Sequence, residues 1–192
     1  MSSMREQIIL TMCDLLEAQG YHASGLNQLV KESGAPKGSL YHYFPDGKDG
    51  LTAEAITHTG QVTAERIRSG LAVQPEAAAA VEGFVAQIAN LVERSGFRAG
   101  GPLTTVAMET ATTNERLNLC CRAAFAQIEA AFGEKLVADG IATERAAELA
   151  TFITAAIEGG IILSRTQHSG DPLRLVAREL GRILALERGT RS

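Results

Sequence analysis

Residues 20–51 decide the fold and read GYHASGLNQLVKESGAPKGSLYHYFPDGKDGL. They predict two short helices joined by a turn of about three residues, because the apolar spacing of the first helix stops before Gly34 and a new helix follows Pro36. Gly34 accepts the left-handed backbone that often ends a helix, and Pro36 fixes the backbone where the next helix starts. Ser24 or Gly25 is a suitable N-cap for the first helix. The stretch therefore reads as a helix-turn-helix.

The second of these helices, roughly residues 37–44, is predicted to present a polar and aromatic face. Leu40 and Phe44 lie four positions apart and should point inward together. The outer surface is then left to Lys37, Gly38, Ser39, Tyr41 and His42. A single tyrosine here is more often a packing residue. The cluster, however, combines close backbone approach with groups that bond bases or phosphates, and it predicts a DNA recognition helix.

These residues resemble the TetR family of bacterial one-component regulators. The matching positions are Gly20-Tyr21, Ser24, Leu29-Val30, Ser33-Gly34, the run from Pro36 to Pro45, and Lys48 with Leu51. The chain departs from the family at Gly25, where a hydroxyl residue is common, and in the loop 45–48, which is one residue longer than usual.

The resemblance implies an all-α fold of about nine helices. Residues 1–48 would form the DNA-binding domain, and residues 49–192 would form a helical bundle for effector binding and dimerisation. It also implies a homodimeric, ligand-responsive repressor. The expected contacts to double-stranded operator DNA are Ser24, Asn27, Gln28, Lys37, Gly38, Ser39, Tyr41, His42 and Lys48.

Charge argues against this interpretation. The chain has a net charge of −4 and a pI near 5.6, and residues 1–50 hold four Lys/Arg against six Asp/Glu. A DNA-binding domain is usually basic. The four basic residues can nevertheless share one face while the acidic residues lie elsewhere, so we expect modest nonspecific affinity with a strong dependence on salt.

The cysteines and the hydropathy pattern predict a cytoplasmic protein without a membrane partner. Cys13, Cys120 and Cys121 offer neither an even disulfide set nor metal-ligand spacing, which favours reduced thiols. The N-terminal residues do not resemble a signal peptide. The most apolar stretch, residues 149–163, is short for a bilayer and contains Glu158.

Beyond residue 51 the pattern is helical throughout, with no β-alternation. A linking helix is predicted from about residue 49 to 69, and a loop at 95–102 precedes a short helix from Pro102 to Met108. Two longer helices show one apolar stripe each, the first starting at Val81 and the second at Leu117. These stripes predict a packed helical bundle.

The last two helices are predicted to associate with a second subunit. Residues 149–163 are apolar nearly all round and must be buried on more than one side. The predicted dimer contacts are Phe152, Ile153, Ile157, Gly160, Ile161, Val176, Leu180 and Ile183. The alternative is an internal core helix with a solvated arginine edge at Arg174, Arg178 and Arg182.

A second resemblance concerns the effector. Residues 100–109 resemble the matching stretch of a TetR subgroup that responds to flavonoids and drug-like aromatics, which implies a mainly apolar or aromatic ligand. The predicted lining consists of Phe84, Phe97, Thr104, Thr105, Met108, Glu109, Phe125 and Phe152. Simple core packing is the alternative for each of them.

Catalytic motifs are missing from the sequence. We find no nucleotide-binding glycine loop, no His-Glu-x-x-His, no Gly-x-Ser-x-Gly and no Cys-x-x-Cys, so we expect neither an enzyme nor a cofactor. Two other hypotheses stay open. One is a helical small-molecule-binding module without DNA-binding activity, and the other is a small helical-bundle enzyme with a titratable pair in one cavity.

Overall fold

The computed structural model describes residues 3–189, which form nine α-helices and no β-strand. The helices are α1 (Met4–Ala23), α2 (Leu26–Ser33), α3 (Lys37–Tyr43), α4 (Gly47–Leu71), α5 (Ala77–Arg94), α6 (Pro102–Thr110), α7 (Glu115–Ala138), α8 (Thr143–Gln167) and α9 (Asp171–Gly189). The prediction of an all-α fold is confirmed. The linking helix α4 begins two residues before the predicted start and ends two residues after the predicted end.

The chain divides into two compact units that are not contiguous in sequence. The first unit holds the chain up to Gln61 together with Gly101–Phe125, and the second holds Val62–Gly100 together with the chain from Ala126. Helix α6 therefore belongs to the same unit as the helix-turn-helix. The predicted functional division at residue 48 stays a prediction.

In the first unit, α1 packs against α2, α3 and α6. Its inward residues Ile8, Met12 and Leu16 are almost completely buried, as are Leu29 of α2 and Leu40 of α3. Helices of seven or eight residues are marginal in water by themselves. Their packing on α1 is what holds α2 and α3 in place.

The ends of the first helices follow their local sequence. Ser3 and Glu6 form a capping box at the start of α1, with the Ser3 hydroxyl accepting from the Glu6 amide and the Glu6 carboxylate accepting from the Ser3 amide. Gly34 ends α2 with a left-handed φ of 66°, as predicted. Gly25 is the N-cap of α2 and makes no side-chain cap bond.

In the second unit, α5 packs against α8 and α9, and α8 packs against α9. Phe84 and Phe132 meet edge to face with their ring centroids 6.1 Å apart. A Cβ at Gly160 would lie 2.9 Å from Leu173 Cδ2, so this glycine permits the close approach of α8 to α9. Helix α8 has the length and composition of a membrane span, yet one face of it lies in this core.

Candidate nucleic-acid interface

Helix α3 and its C-cap residue Phe44 turn two apolar side chains inward and leave most of the polar ones exposed. Leu40 and Phe44 are 1% and 2% exposed, which confirms the predicted inner face. Lys37, Gly38, Tyr41 and His42 are exposed, and Ser39 is half-buried. The helix carries no acidic side chain. Its outer face can therefore approach a phosphate backbone without like-charge repulsion.

The aromatic residues at the end of α3 contact one another. The His42 and Tyr43 rings meet edge to face at 5.3 Å, and the Tyr43 and Phe44 rings do so at 6.5 Å. Phe44 is buried and also lies under the Arg5 guanidinium, 5.5 Å from the ring centroid. The exposed His42 is thus connected through Tyr43 to a ring that is fixed in the core.

Ser24 does not present its side chain to DNA, which corrects the prediction that it would. Ser24 is 1% exposed, and its hydroxyl donates to the carbonyl of Gly20. Its amide donates to the carbonyl of Tyr21 at 3.2 Å. Both bonds close the turn between α1 and α2, so the role of Ser24 is local and structural.

The two amide side chains of α2 differ in their surroundings. Asn27 is exposed. Gln28 is half-buried, and its amide nitrogen donates to Glu32 at 2.8 Å while its oxygen accepts from Gln19 at 2.9 Å. Asn27 is therefore the more accessible of the two predicted contacts.

Lys48 lies against the end of α1 instead of extending into solvent. Its ammonium stands 4.2 Å from the centroid of the Tyr21 ring and donates to the carbonyl of His22 at 3.4 Å. Partial burial lowers the pKa of Lys48 more than the nearby carboxylates of Asp49 and Glu109 raise it.

Two acidic residues close to this face are held by partners, which bears on the charge of the interface. Asp46 accepts from the guanidinium of Arg116 at 2.8 Å. Asp49 accepts from the Tyr21 hydroxyl and from the Asn114 amide. Both carboxylates therefore have partners within the first unit, and Arg116, which lies outside residues 1–50, offsets the charge of Asp46.

Residues 20–22 meet a carboxylate that we predicted to bind effector. Glu109 of α6 accepts from the amides of Tyr21 and His22 at 2.6 and 3.1 Å. Burial, with the Asp49 bond and charge, raises the pKa of Tyr21 to about 12. The sequence predicted none of these contacts. Asn114 carried a partial signal, because it precedes α7 and accepts from the Leu117 amide as a helix cap.

The eight predicted effector residues are divided between the two units. Phe84 and Phe97 lie in the second unit, Phe84 buried and Phe97 half-buried with its ring against His168 at 5.2 Å. Phe152 also belongs to the second unit, but it is 49% exposed. The first unit holds Thr104, Thr105, Met108, Glu109 and Phe125.

Two of these residues were wrongly expected to face inward. Met108 is 76% exposed because Val106 and Thr110 occupy the inner face of α6. Phe152 points outward because Ile153 takes the inner face of α8. Thr104 and Thr105 are half-buried, and Thr105 donates to the carbonyl of Gly101.

An open groove of about 380 Å³ lies on the first unit between α1, α4 and α7. It contains none of the predicted effector residues, and it is lined by Arg5, Ile9, Ala53, Glu54, Thr57, His58, Gln61, Arg116 and Cys120. Arg5 pairs with Glu54 across it, and Arg116 pairs with Asp46. Its charges are thus largely satisfied within the protein.

The predicted dimer contacts mostly face the interior of their own subunit, which corrects that prediction. Five of them are buried against neighbouring helices: Ile153, Ile157, Gly160, Ile161 and Leu180. Val176 and Ile183 are half-buried, and Phe152 is exposed. The periodic stripes were correct, but within the same chain α8 packs against α5 and α9, and α9 packs against α5 and α8. The exposed apolar side chains lie on other faces, at Phe152, Ile162, Leu163, Leu175 and Leu186.

The sequence matches two family models. Residues 8–55 match the model for bacterial regulatory proteins of the tetR family, and residues 77–179 match that for the C-terminal domain of LmrA/YxaF-like transcriptional regulators. The chain is 43% identical over 176 residues to the HTH-type transcriptional regulator YxaF of Bacillus subtilis, covering 92% of each chain. It is 36% identical to the regulator LmrA of the same organism, covering 88% of this chain and 90% of that one.

Solved structures agree in fold. A TetR transcriptional regulator from Legionella pneumophila superposes with a TM-score of 0.82 at 19% identity, covering 95% of this chain and 98% of that one. The regulatory protein TetR from Rhodobacter sphaeroides gives 0.81 at 20% identity, covering 94% and 98%. Members of this family bind operator DNA as dimers, are typically ligand-responsive repressors and are not enzymes. The chain belongs to the TetR family and is a helix-turn-helix transcriptional regulator.

Proposed function

We propose that this regulator is a cytoplasmic, homodimeric repressor that a small, mainly apolar or aromatic effector releases from its operator. The observation that carries the DNA-binding part is α3, which exposes Lys37, Gly38, Tyr41 and His42 around the buried Leu40 and Phe44. This is the arrangement that a recognition helix needs to enter a major groove.

Individual operator contacts follow from exposure. Lys37 and His42 are proposed to contact phosphates, and Tyr41, Ser39 and Asn27 to contact phosphates or base edges. Gly38 permits close backbone approach. Lys48 uses one donor on His22, and its remaining N–H groups are proposed to face a phosphate. Gln28 ranks below these residues because its amide is already bonded.

The residues that the second unit buries support an apolar or aromatic effector. Among its described residues, no Asp, Glu, Lys, Arg or His is buried, and the buried hydroxyls of Thr154 and Ser164 both have backbone partners. A charged ligand in such an interior would lack a counter-charge, which is costly. Phe84 and Phe97 remain the lining that we propose this unit offers to an apolar or aromatic molecule, while Thr104, Thr105 and Phe125 of the first unit stay predictions from the sequence.

The dimer contact is proposed to use the outward faces of α8 and α9. Ile162 and Leu163 of α8 and Leu175 and Leu186 of α9 are each at least half exposed in the single chain. Large apolar side chains concentrated on two adjacent helices indicate a protein interface. A two-fold contact there would present two recognition helices to the two halves of a palindromic operator.

The test has two stages. Genomic fragments bound by the purified protein are first selected and sequenced, and a shared palindrome is the expected result. Aromatic compounds are then screened for release of those fragments, with charged compounds of similar size as the comparison set. Failure to enrich any fragment would favour the ligand-binding module without DNA-binding activity. Release by charged compounds alone would contradict the proposed effector class.

A further inference from the structure

The backbone of residues 20–22 is held by a side chain that lies 88 positions away in the sequence. Glu109 Oε2 accepts from the amide of Tyr21 at 2.6 Å and from the amide of His22 at 3.1 Å. Gly20 interrupts α1 with a non-helical backbone, so the two amides open a new helical turn. Such amides lack carbonyl partners within the turn, and a carboxylate is a strong acceptor for them.

The sequence at position 20 suits this contact. Gly20 has a φ of 77°, which favours glycine, and a Cβ added there would lie 2.5 Å from Glu109 Oε1. The carboxylate is therefore seated directly against the bend in α1. A side chain at position 20 would have to displace it.

The same segment is also attached to α4 and to the start of α7. The Tyr21 hydroxyl donates to Asp49, and the Asn114 amide donates to the other oxygen of Asp49 at 2.8 Å. The Lys48 ammonium covers the Tyr21 ring and bonds the His22 carbonyl. Glu109 is the member of this set that holds the backbone amides.

The segment leads directly into the DNA-reading helices. Ser24, which precedes α2, bonds the Gly20 carbonyl with its hydroxyl and the Tyr21 carbonyl with its amide. Helix α2 begins two residues later, and α3 follows after a short turn. A change in the backbone at residues 20–22 would therefore alter the turn that leads into α2.

We propose that Glu109 is a positioning residue for operator binding: its carboxylate fixes the bend at Gly20 near the end of α1 and so sets the orientation of the recognition helix. The inference rests on the proposed function, since it needs an operator to bind. It replaces the effector-binding role that the sequence suggested for this residue.

The direction in which operator affinity changes distinguishes this proposal from a simple electrostatic effect of the Glu109 charge. Removing a carboxylate from a DNA-binding unit should by itself strengthen binding to a polyanion. Loss of positioning should weaken it. Glu109→Gln is the informative variant, because it removes the charge but keeps a weaker neutral acceptor at nearly the same place.

The experiment compares four variants on the operator selected with the wild-type protein. We expect Glu109→Ala to lower operator affinity about tenfold or more, and Glu109→Gln to lower it by a smaller factor. Glu115→Gln removes a charge from an exposed residue of the same unit and should leave affinity unchanged or slightly higher. Leu103→Ala lowers stability through the core of α6 and should leave the affinity of the folded protein within about twofold of wild type.

Site-resolved hydrogen exchange supplies the readout that a loss of stability alone would not give. In Glu109→Ala the Tyr21 and His22 amides should exchange faster while those of Leu16 and Leu51 do not. In Leu103→Ala the amides of residues 21 and 22 should stay protected relative to the core.

Two results in Glu109→Ala would overturn the positioning role: unchanged exchange at the amides of residues 21 and 22, or wild-type operator affinity. A wild-type protein that binds no operator would instead overturn the proposed function, with the exchange result still reporting on the Glu109 contact.

Discussion

At the scale of single residues, Tyr41 and His42 carry the proposed reading of the operator. Both side chains are exposed on α3, while Leu40 between Ser39 and Tyr41 is buried. Substitutions at the exposed positions should change operator affinity, and a substitution at the buried position should change stability, because a surface group can be removed without opening the core.

We predict that Tyr41→Phe and His42→Ala each weaken operator binding by ~1 kcal/mol and leave the thermal midpoint nearly unchanged. Leu40→Ala should instead lower stability by ~2–5 kcal/mol, since it empties a buried site. Operator titrations and thermal melts measure the two effects. Wild-type affinity in the Tyr41→Phe/His42→Ala double variant would contradict the assignment of α3.

Ser24 and Lys37 provide a second contrast at this scale. Ser24→Ala removes a buried hydroxyl bond, so it should lower stability by ~1 kcal/mol without changing the salt dependence of operator binding. Lys37→Ala should reduce the slope of log affinity against log salt by about 1, because a phosphate contact is lost. If Ser24→Ala also reduced the slope of log affinity against log salt, Ser24 would contact a phosphate after all, although its side chain is buried in the structure.

At the scale of helices, α8 and α9 each have an inward stripe and an outward one. Ile157 belongs to the inward stripe at 7% exposure, and Leu163 belongs to the outward one at 51%. A charged residue at position 157 therefore tests packing within the subunit, and a charged residue at position 163 tests contact with a second subunit.

We predict that Leu163→Glu or Leu175→Glu gives a folded monomer, because the charge would be buried only in the dimer. Ile157→Glu should give an unfolded or insoluble protein, since the same charge would enter the core of the subunit. Sedimentation together with circular dichroism distinguishes the results. A Leu163→Glu/Leu175→Glu double variant that remains a dimer would place the interface elsewhere.

The limits of prediction from sequence are clearest in these helices. Spacing identified the inner face of the recognition helix, because Leu40 and Phe44 lie four positions apart and are the large side chains of residues 37–44 that have no polar group. In α8, spacing found the stripe but could not tell whether its partner lies within or between subunits, since both would bury the same residues. Glu109 was assigned to a ligand because its partners are backbone amides, which every sequence provides and no pattern marks.

At the scale of the whole molecule, the buried Cys121 thiol and the half-buried Tyr21 phenol link stability to alkaline pH. Burial raises the pKa of the Cys121 thiol to about 11, with a smaller contribution from Cys120. The pKa of Tyr21 is raised to about 12 from an ordinary value of 10.0. The folded protein keeps each proton at pH values where the unfolded chain has lost it. The stability that each retained proton provides is fully present below the pKa of the group in the unfolded chain. It is lost as pH rises toward the pKa of the same group in the folded protein.

We predict that the free energy of unfolding falls between about pH 9 and pH 12, and that Tyr21→Phe reduces the steepness of that fall above pH 10. Tyr43→Phe is the matched control, because it removes an exposed phenol of the same unit. Urea titrations at a series of pH values measure the slope. Equal slopes for wild type and Tyr21→Phe would show that the Tyr21 proton is not coupled to folding.

The contact of Glu109 with the main chain has a consequence for which changes the protein can tolerate over evolutionary time. The carboxylate recognises amides and not side chains, so position 22, where His22 is exposed, is free to drift among residue types without loss of this bond. Proline is the exception, because it has no amide hydrogen to donate. Position 20 is constrained instead, because a side chain there would meet the Glu109 carboxylate and would have to adopt a left-handed backbone.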